Sequence, residues 1–306
     1  MLYGTADFLG GVASRRASVF AVLALTVPAG AVVMVLVALL GGLLGHGGLG
    51  APASAGDWSA VGWAAASGVC GAAGLIAFYA GFASAPISVV APVAALVSAV
   101  VPVGVAIAGG ERPATTVIAG GLICLAAIVL VSAQPADHAR PEHGEGPAGE
   151  GPAGEGRAGG IRLVTSGRLL ALGCGAAAGL GFGLFFIFLK NAGQSGVLWP
   201  VAISRSAGTV VAFGIALATR TRLRFGRGGI TAIALLSGGI DAAANVCYVL
   251  ATRVGLFGLA VVITSLYPGM TVLLARVLLG ERMRWLQRAG VLLAAAGVVL
   301  VTVWPG

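Results

Sequence analysis

The two halves of this chain follow the same plan. Residues 79–133 run through a proline-bearing apolar segment, then Gly109-Gly110-Glu111-Arg112, then a second apolar segment. Residues 248–304 repeat the order through Leu279-Gly280-Glu281-Arg282. Glu111 and Glu281 lie 170 positions apart. Each sits in a short polar notch between hydrophobic stretches near the roughly 20 residues a membrane-crossing helix needs. A chain duplicated in this way must fold so that its copies complete one another.

Composition sets the solvent. Only 9% of residues are charged and 58% are hydrophobic, where a soluble domain would carry roughly 25% charge. Ten apolar segments recur, at 1–13, 19–45, 58–82, 87–109, 114–133, 169–189, 196–219, 229–252, 255–279 and 285–304. Their length and continuity predict an all-α, multi-pass membrane protein; the short alternating strands of an outer-membrane barrel are missing. The formal charge of +8 does not indicate nucleic acid, because the basic residues lie in the breaks between apolar runs, where they set topology.

Between the fifth and sixth segments, residues 134–168 change character. Glu-Gly-Pro-Ala-Gly occurs twice and Glu-Gly-Arg-Ala-Gly once within 145–159. Such a stretch buries no apolar surface and is expected to be disordered. The chain therefore reads as a first repeat of five helices (1–133), a Gly/Pro/Glu linker (134–168) and a second repeat of five (169–306). Five spans per repeat force the copies to insert upside down relative to each other, the arrangement of inverted-repeat carriers. The first segment is anomalous. Thirteen residues precede Ser14-Arg15-Arg16, reaching about 20 Å as a helix against a hydrocarbon core of about 30 Å. A natural start upstream, adding about ten apolar residues, is expected from that shortfall.

Loop cations argue orientation. Loops after segments 1, 3, 5, 7 and 9 hold thirteen: Arg15, Arg16, Arg140, Arg157, Arg162, Arg168, Arg220, Arg222, Arg224, Arg227, Arg282, Arg284 and Arg288. Loops after 2, 4, 6 and 8 hold three: Arg112, Lys190 and Arg253. The positive-inside rule puts the first set in the cytoplasm and both termini outside.

Two charges fall near the middle of full-length apolar runs, Arg205 in segment seven and Asp241 in segment eight. A charge at the bilayer centre costs about 3 kcal/mol or more, so each marks a site or a locking ion pair. Asp241, Asn245 and Tyr248 follow i, i+4, i+7 spacing and share one helix face. That face either lines a wet cavity or bonds a polar neighbouring helix; cavity lining is the favoured reading. Asp7, in Tyr3-Gly4-Thr5-Ala6-Asp7-Phe8, is either a proton- or cation-binding carboxylate or an interfacial cap. Pro92 and Pro102 in segment four, and Pro268 in Thr264-Ser265-Leu266-Tyr267-Pro268-Gly269 of segment nine, are expected helix breaks at related places of the two repeats, a pointer to a binding site. Tyr79, Tyr248, Thr264 and Tyr267 join the cavity candidates. Gly175, Gly179 and Gly183 form a four-residue ladder suited to close helix packing. Glu111 and Glu281 read as caps or loop ion pairs.

Cys70, Cys124, Cys174 and Cys247 lie in apolar runs without a Cys-x-x-Cys pair, and His46, His138 and His143 all lie in loops. No metal, cofactor or catalytic constellation is expected.

These residues resemble the EamA-type transporters of the drug/metabolite transporter superfamily. The resemblance rests on Pro86-Ile87-Ser88-Val89-Val90-Ala91-Pro92 leading to Gly110-Glu111-Arg112, and on Gly258-Leu259-Ala260 through Tyr267-Pro268 to Leu279-Gly280-Glu281-Arg282. The opening Tyr3-Gly4-Thr5-Ala6-Asp7-Phe8-Leu9-Gly10-Gly11 is similar to the first-helix motif of one branch. The resemblance implies ten transmembrane helices in two inverted five-helix repeats, a central cavity and alternating access in the plasma or inner membrane. It implies a small-molecule substrate, with export favoured over uptake. Proton coupling is expected from the buried carboxylates instead, through Asp241 and with Asp7 as a second acceptor. The family's usual topology puts both termini in the cytoplasm, the reverse of what the arginines argue. Lipid is the expected surrounding partner, and small-residue faces on nearly every helix would admit a homodimer. The alternative class is a membrane-embedded non-transport protein, a lipid-modifying enzyme or a scaffold.

Overall fold

The computed structural model describes residues 1–14, 19–43, 58–84, 87–112, 114–132, 157–218, 228–255, 257–264, 266–267, 270, 273–274, 277–278 and 285–303. Among these there are ten helices and no strand. They are α1 (Leu2–Ser14), α2 (Val19–Leu43), α3 (Trp58–Ser84), α4 (Ile87–Ala108), α5 (Thr115–Ser132), α6 (Arg157–Ala192), α7 (Leu198–Ala218), α8 (Gly228–Val254), α9 (Phe257–Thr264) and α10 (Trp285–Val303). Five described stretches are long and apolar enough to cross a membrane, within α2, α3, α6, α7 and α8. Shorter apolar helices lie within α4, α5 and α10.

The distribution of side-chain sizes is that of a protein solvated by lipid. Alanine is the commonest buried residue, as at Ala38, Ala64, Ala99, Ala127, Ala178 and Ala242, with scattered serine. Large apolar side chains face outward, among them Leu36, Leu39 and Leu40 on α2, Val210 and Leu217 on α7, and Leu236 on α8. In hydrocarbon an outward leucine costs nothing, and helices gain by close approach through small residues.

Packing runs mostly between the halves. α3 lies on α6 and α7, α8 on α1 and α2, and α4 on α6; α2 meets α7, α4 meets α9 and α5 meets α10. Neighbours in sequence, such as α1 and α2 or α7 and α8, touch far less. The glycine ladder on α6 supplies one of these seams. A Cβ on Gly179 would stand 2.6 Å from Val97 Cβ and 2.7 Å from the Ala94 carbonyl oxygen of α4, and one on Gly175 would stand 3.0 Å from the Val90 carbonyl oxygen. Only glycine lets these two backbones approach so closely.

Three details depart from the sequence reading. α6 begins at Arg157, not at 169, so residues 157–168 are helical where a disordered linker is expected. The helix starts inside the third repeat, where Arg157 stands in place of the proline of the first two, and Ile161, Leu163 and Val164 let it extend. α4 runs unbroken through Pro92 and Pro102, so neither is a helix break. Each proline removes one amide, and helices in membranes absorb that loss when neighbours pack over it. Pro102 is fully buried, with Cδ 3.3 Å from where a Cβ on Gly183 would stand. Pro268 lies outside the described residues, as do Glu281 and residues 133–156. α9 ends at Thr264, followed by a turn in which Leu266 N–H donates to Ile263 O at 3.3 Å.

Candidate functional site

Spacing put Asp241, Asn245 and Tyr248 on one face of α8, and each of them bonds to a different helix. Arg205 on α7 donates through Nη2 to Asp241 Oδ2, forming an ion pair. Their side chains are 13% and 30% exposed, respectively. Arg205 Nε is buried without a partner among the described residues. One turn on, Asn245 Nδ2 donates to the Asp241 carbonyl at 2.8 Å, and Asn245 Oδ1 accepts from Tyr3 Oη of α1 at 2.8 Å. Tyr248 Oη donates to the Phe186 carbonyl of α6 at 2.8 Å. The Tyr248 ring lies 4.8 Å from that of Phe186, and Tyr3 meets the same ring edge-on at 6.1 Å.

This geometry divides the candidates. Asn245 and Tyr248 are 1% and 2% exposed and hydrogen-bonded. They join α8 to α1 and α6 by packing, so they do not line an open cavity, the reading favoured from spacing. The local reason is Phe186, whose ring and carbonyl both face α8. Asp241 keeps partial access beside its arginine. Asp7 is the open acid: its side chain is exposed while Ala6 and Phe8 on either side are buried. It lies close enough to Asp241 and to Tyr267 for their charges to interact. Thr264 and Tyr267 are half-buried near the end of α9. Tyr79 and Pro92 lie on α3 and α4, and their side chains are outside the described set. Thus Asp7, Arg205, Asp241, Asn245 and Tyr248 come together around α1, α7 and α8, with Tyr267 beside Asp7.

A second arrangement was legible only as a repeated motif. α4 ends in a turn where Glu111 N–H reaches the Ala106 carbonyl and Gly110 N–H the Ile107 carbonyl, both at 3.0 Å. Gly110 takes φ +96°, the left-handed conformation that closes such a helix end. The turn aims Glu111 across to the second half. Its Oε1 accepts from Phe257 N at 2.9 Å and its Oε2 from Gly258 N at 3.1 Å, capping the start of α9. Nearby, Lys190 Nζ stands 5.1 Å from the Phe257 ring centroid. Arg253 donates to the Gly193 and Gln194 carbonyls at 2.7 and 3.1 Å. One end of the molecule is thereby joined through the loops after α4, α6 and α8. Glu111 is a cap, as its place in the notch suggested, but of a helix 146 residues away.

A cavity of about 390 Å³ lies between α4, α5 and α9, lined by Val103, Ile107, Leu122, Leu125, Val262 and the capping Glu111. It is apolar and separate from the polar cluster. Among the described residues no three His, Cys, Asp or Glu side chains gather as a metal site.

Long apolar helices, a small-residue interior and a membrane-depth ion pair define a multi-pass membrane protein. Residues 168–303 match the EamA-like transporter family. That match covers the second half of the chain and supports an EamA-type member of the drug/metabolite transporter superfamily, a family of membrane transporters. Thirteen chains of solved structures are similar in fold. One of them, described only as the crystal structure of a protein, aligns with a TM-score of 0.71 at 17% identity. The alignment covers 99% of this chain and 96% of that one. At this identity the likeness shows a shared fold over the whole length and nothing of function. No curated protein matches the chain.

Proposed function

We propose that the protein is a secondary carrier for small metabolites or drugs. Two five-helix units, residues 1–133 and 169–306, rock against each other around the polar cluster, which opens to either side of the plasma or inner membrane in turn. Export is favoured over uptake, with a proton as the coupling ion.

The supporting observation is the symmetry of the packing. Exchanging α1–α5 for α6–α10 in order turns the α3–α6 contact into α8–α1 and the α3–α7 contact into α8–α2, while α2–α7, α4–α9 and α5–α10 each map onto themselves. The likeness reaches individual residues. Ser67-Gly68 and Ser237-Gly238 lie 170 positions apart, the offset that relates Glu111 to Glu281. A Cβ on Gly68 would strike the backbone of α7 at Ser204, and one on Gly238 the backbone of α2 at Thr26. Such twinned, interlocked halves suit a rocking mechanism with the site at the seam.

Charge breaks the symmetry. The positions at that offset from Asp241 and Asn245 are Gly71 and Leu75, so the polar cluster belongs to one side of the seam. The test is flux in vesicles holding the purified protein, screened against a metabolite panel with and without a pH gradient. The reading predicts saturable, gradient-dependent movement of some solute. No protein-dependent flux of any solute would contradict it.

A further inference from the structure

The cavity of about 390 Å³ between α4, α5 and α9 takes no part in the polar cluster. Two glycines open it. Gly104 of α4 and Gly121 of α5 both line it, and a Cβ on either would meet nothing within 4 Å. Glycine in a membrane helix ordinarily lets another backbone approach closely; these two admit no such neighbour. The second repeat fills the same positions. At the offset of 170, Gly104 becomes Leu274 and Gly121 becomes Val291, while Glu111 and Glu281, Gly120 and Gly290, and Leu122 and Leu292 correspond unchanged. The twinned architecture therefore does not require the space; residues peculiar to the first repeat create it.

Its surroundings indicate an occupant. Ile107, Ile118 and Leu122 line the recess and are 52%, 47% and 62% exposed, so it opens on the lipid-facing surface. The lining follows α4 from Val100 to Glu111. That is about 16 Å of helix, the depth of one leaflet in a hydrocarbon core about 30 Å thick. The wall is apolar except at Glu111, whose two oxygens are taken by the Phe257 and Gly258 amides. Positive charge gathers at this polar end. Arg112, next in the chain, is exposed and makes no hydrogen bond or ion pair among the described residues. Lys190 lies over the Phe257 ring, and Arg253 reaches the Gly193 carbonyl beside it.

We propose that the recess holds an acyl chain of one anionic phospholipid, with the phosphate beside Arg112 at the membrane interface. An empty recess forfeits dispersion contacts along its wall, and a lipid tail restores them. The tail alone would suit any lipid; the cations select a negative headgroup. The bound lipid touches both repeats, since α4 and α5 belong to the first and α9 to the second. The site is independent of the carrier reading, because no transported solute enters it.

The test is native mass spectrometry of the full chain released from detergent micelles, with phosphatidylglycerol or phosphatidylcholine of identical tails added. The wild type should retain one phosphatidylglycerol about fivefold more readily than phosphatidylcholine, the effect of a single interfacial cation. Gly104→Leu/Gly121→Val installs the second repeat's side chains where a Cβ has room, and should lose the bound lipid. Arg112→Gln should keep a lipid and lose the preference. Equal retention of the two lipids by the wild type would overturn the proposal, as would undiminished retention by the filled variant. A wild-type dimer that the filled variant converts to monomer would also overturn it, giving the recess to a second copy of the chain. Arg112→Gln changes only an exposed side chain, so an unchanged preference there overturns the proposal even if the filled variant does not fold.

Discussion

Asp241 and Arg205 were legible because a charge inside a long apolar run has few reasons to be there, and each supplied the other's reason. Removing one partner leaves the other uncompensated at low dielectric. Arg205→Leu should destabilise the protein by somewhat less than the about 3–5 kcal/mol of a fully buried pair, since Asp241 keeps some access. Thermal unfolding in detergent should show the double variant Arg205→Leu/Asp241→Leu as clearly more stable than Arg205→Leu alone. Tyr248 was legible by spacing but not by role. Its i+7 register fixes a face of α8, while the group it meets, the carbonyl of Phe186, comes from another helix. Tyr248→Phe should cost about 1 kcal/mol through the lost hydrogen bond and leave substrate affinity unchanged. A shift in affinity at unchanged stability would return Tyr248 to the cavity wall.

Among elements, the ladder on α6 shows what sequence can say about helix pairs. Glycine at every fourth position announced a close contact, and the structure supplies α4 as its partner. Gly179→Val would drive methyl groups into Val97 and the Ala94 carbonyl, and overpacking of this kind costs about 1–3 kcal/mol. Gly173→Ala, where a Cβ meets nothing within 4 Å, should be neutral or slightly stabilising; melting curves of the two variants decide. The prolines of α4 misled because proline marks where a helix can bend, and the neighbours decide whether it breaks. Glu111 looked like a local cap because nothing in its own segment indicates that α9 lies across from it. Glu111→Ala should cost about 1 kcal/mol by leaving the Phe257 and Gly258 amides uncapped, and should loosen the end where the loops after α4, α6 and α8 meet. Hydrogen exchange at those amides is the readout.

For the whole molecule, the offset of 170 positions carried the duplication from Glu111 and Glu281 to Ser67-Gly68 and Ser237-Gly238. What it could not carry was the manner of assembly. Two copies could have packed each within itself and then met at one face; instead the heaviest contacts join α3 to α6, α4 to α6 and α5 to α10. Small residues on every face permit many pairings, and only the folded chain selects among them. The account stands on two copies facing opposite ways across lipid, and one experiment tests that most directly. In a cysteine-free background, Arg112→Cys and Arg282→Cys place single thiols at the equivalent notches of the two repeats. A membrane-impermeant maleimide should label them from opposite sides of sealed vesicles. Labelling of both from the same side would contradict the inverted pair, and with it the rocking mechanism built upon it.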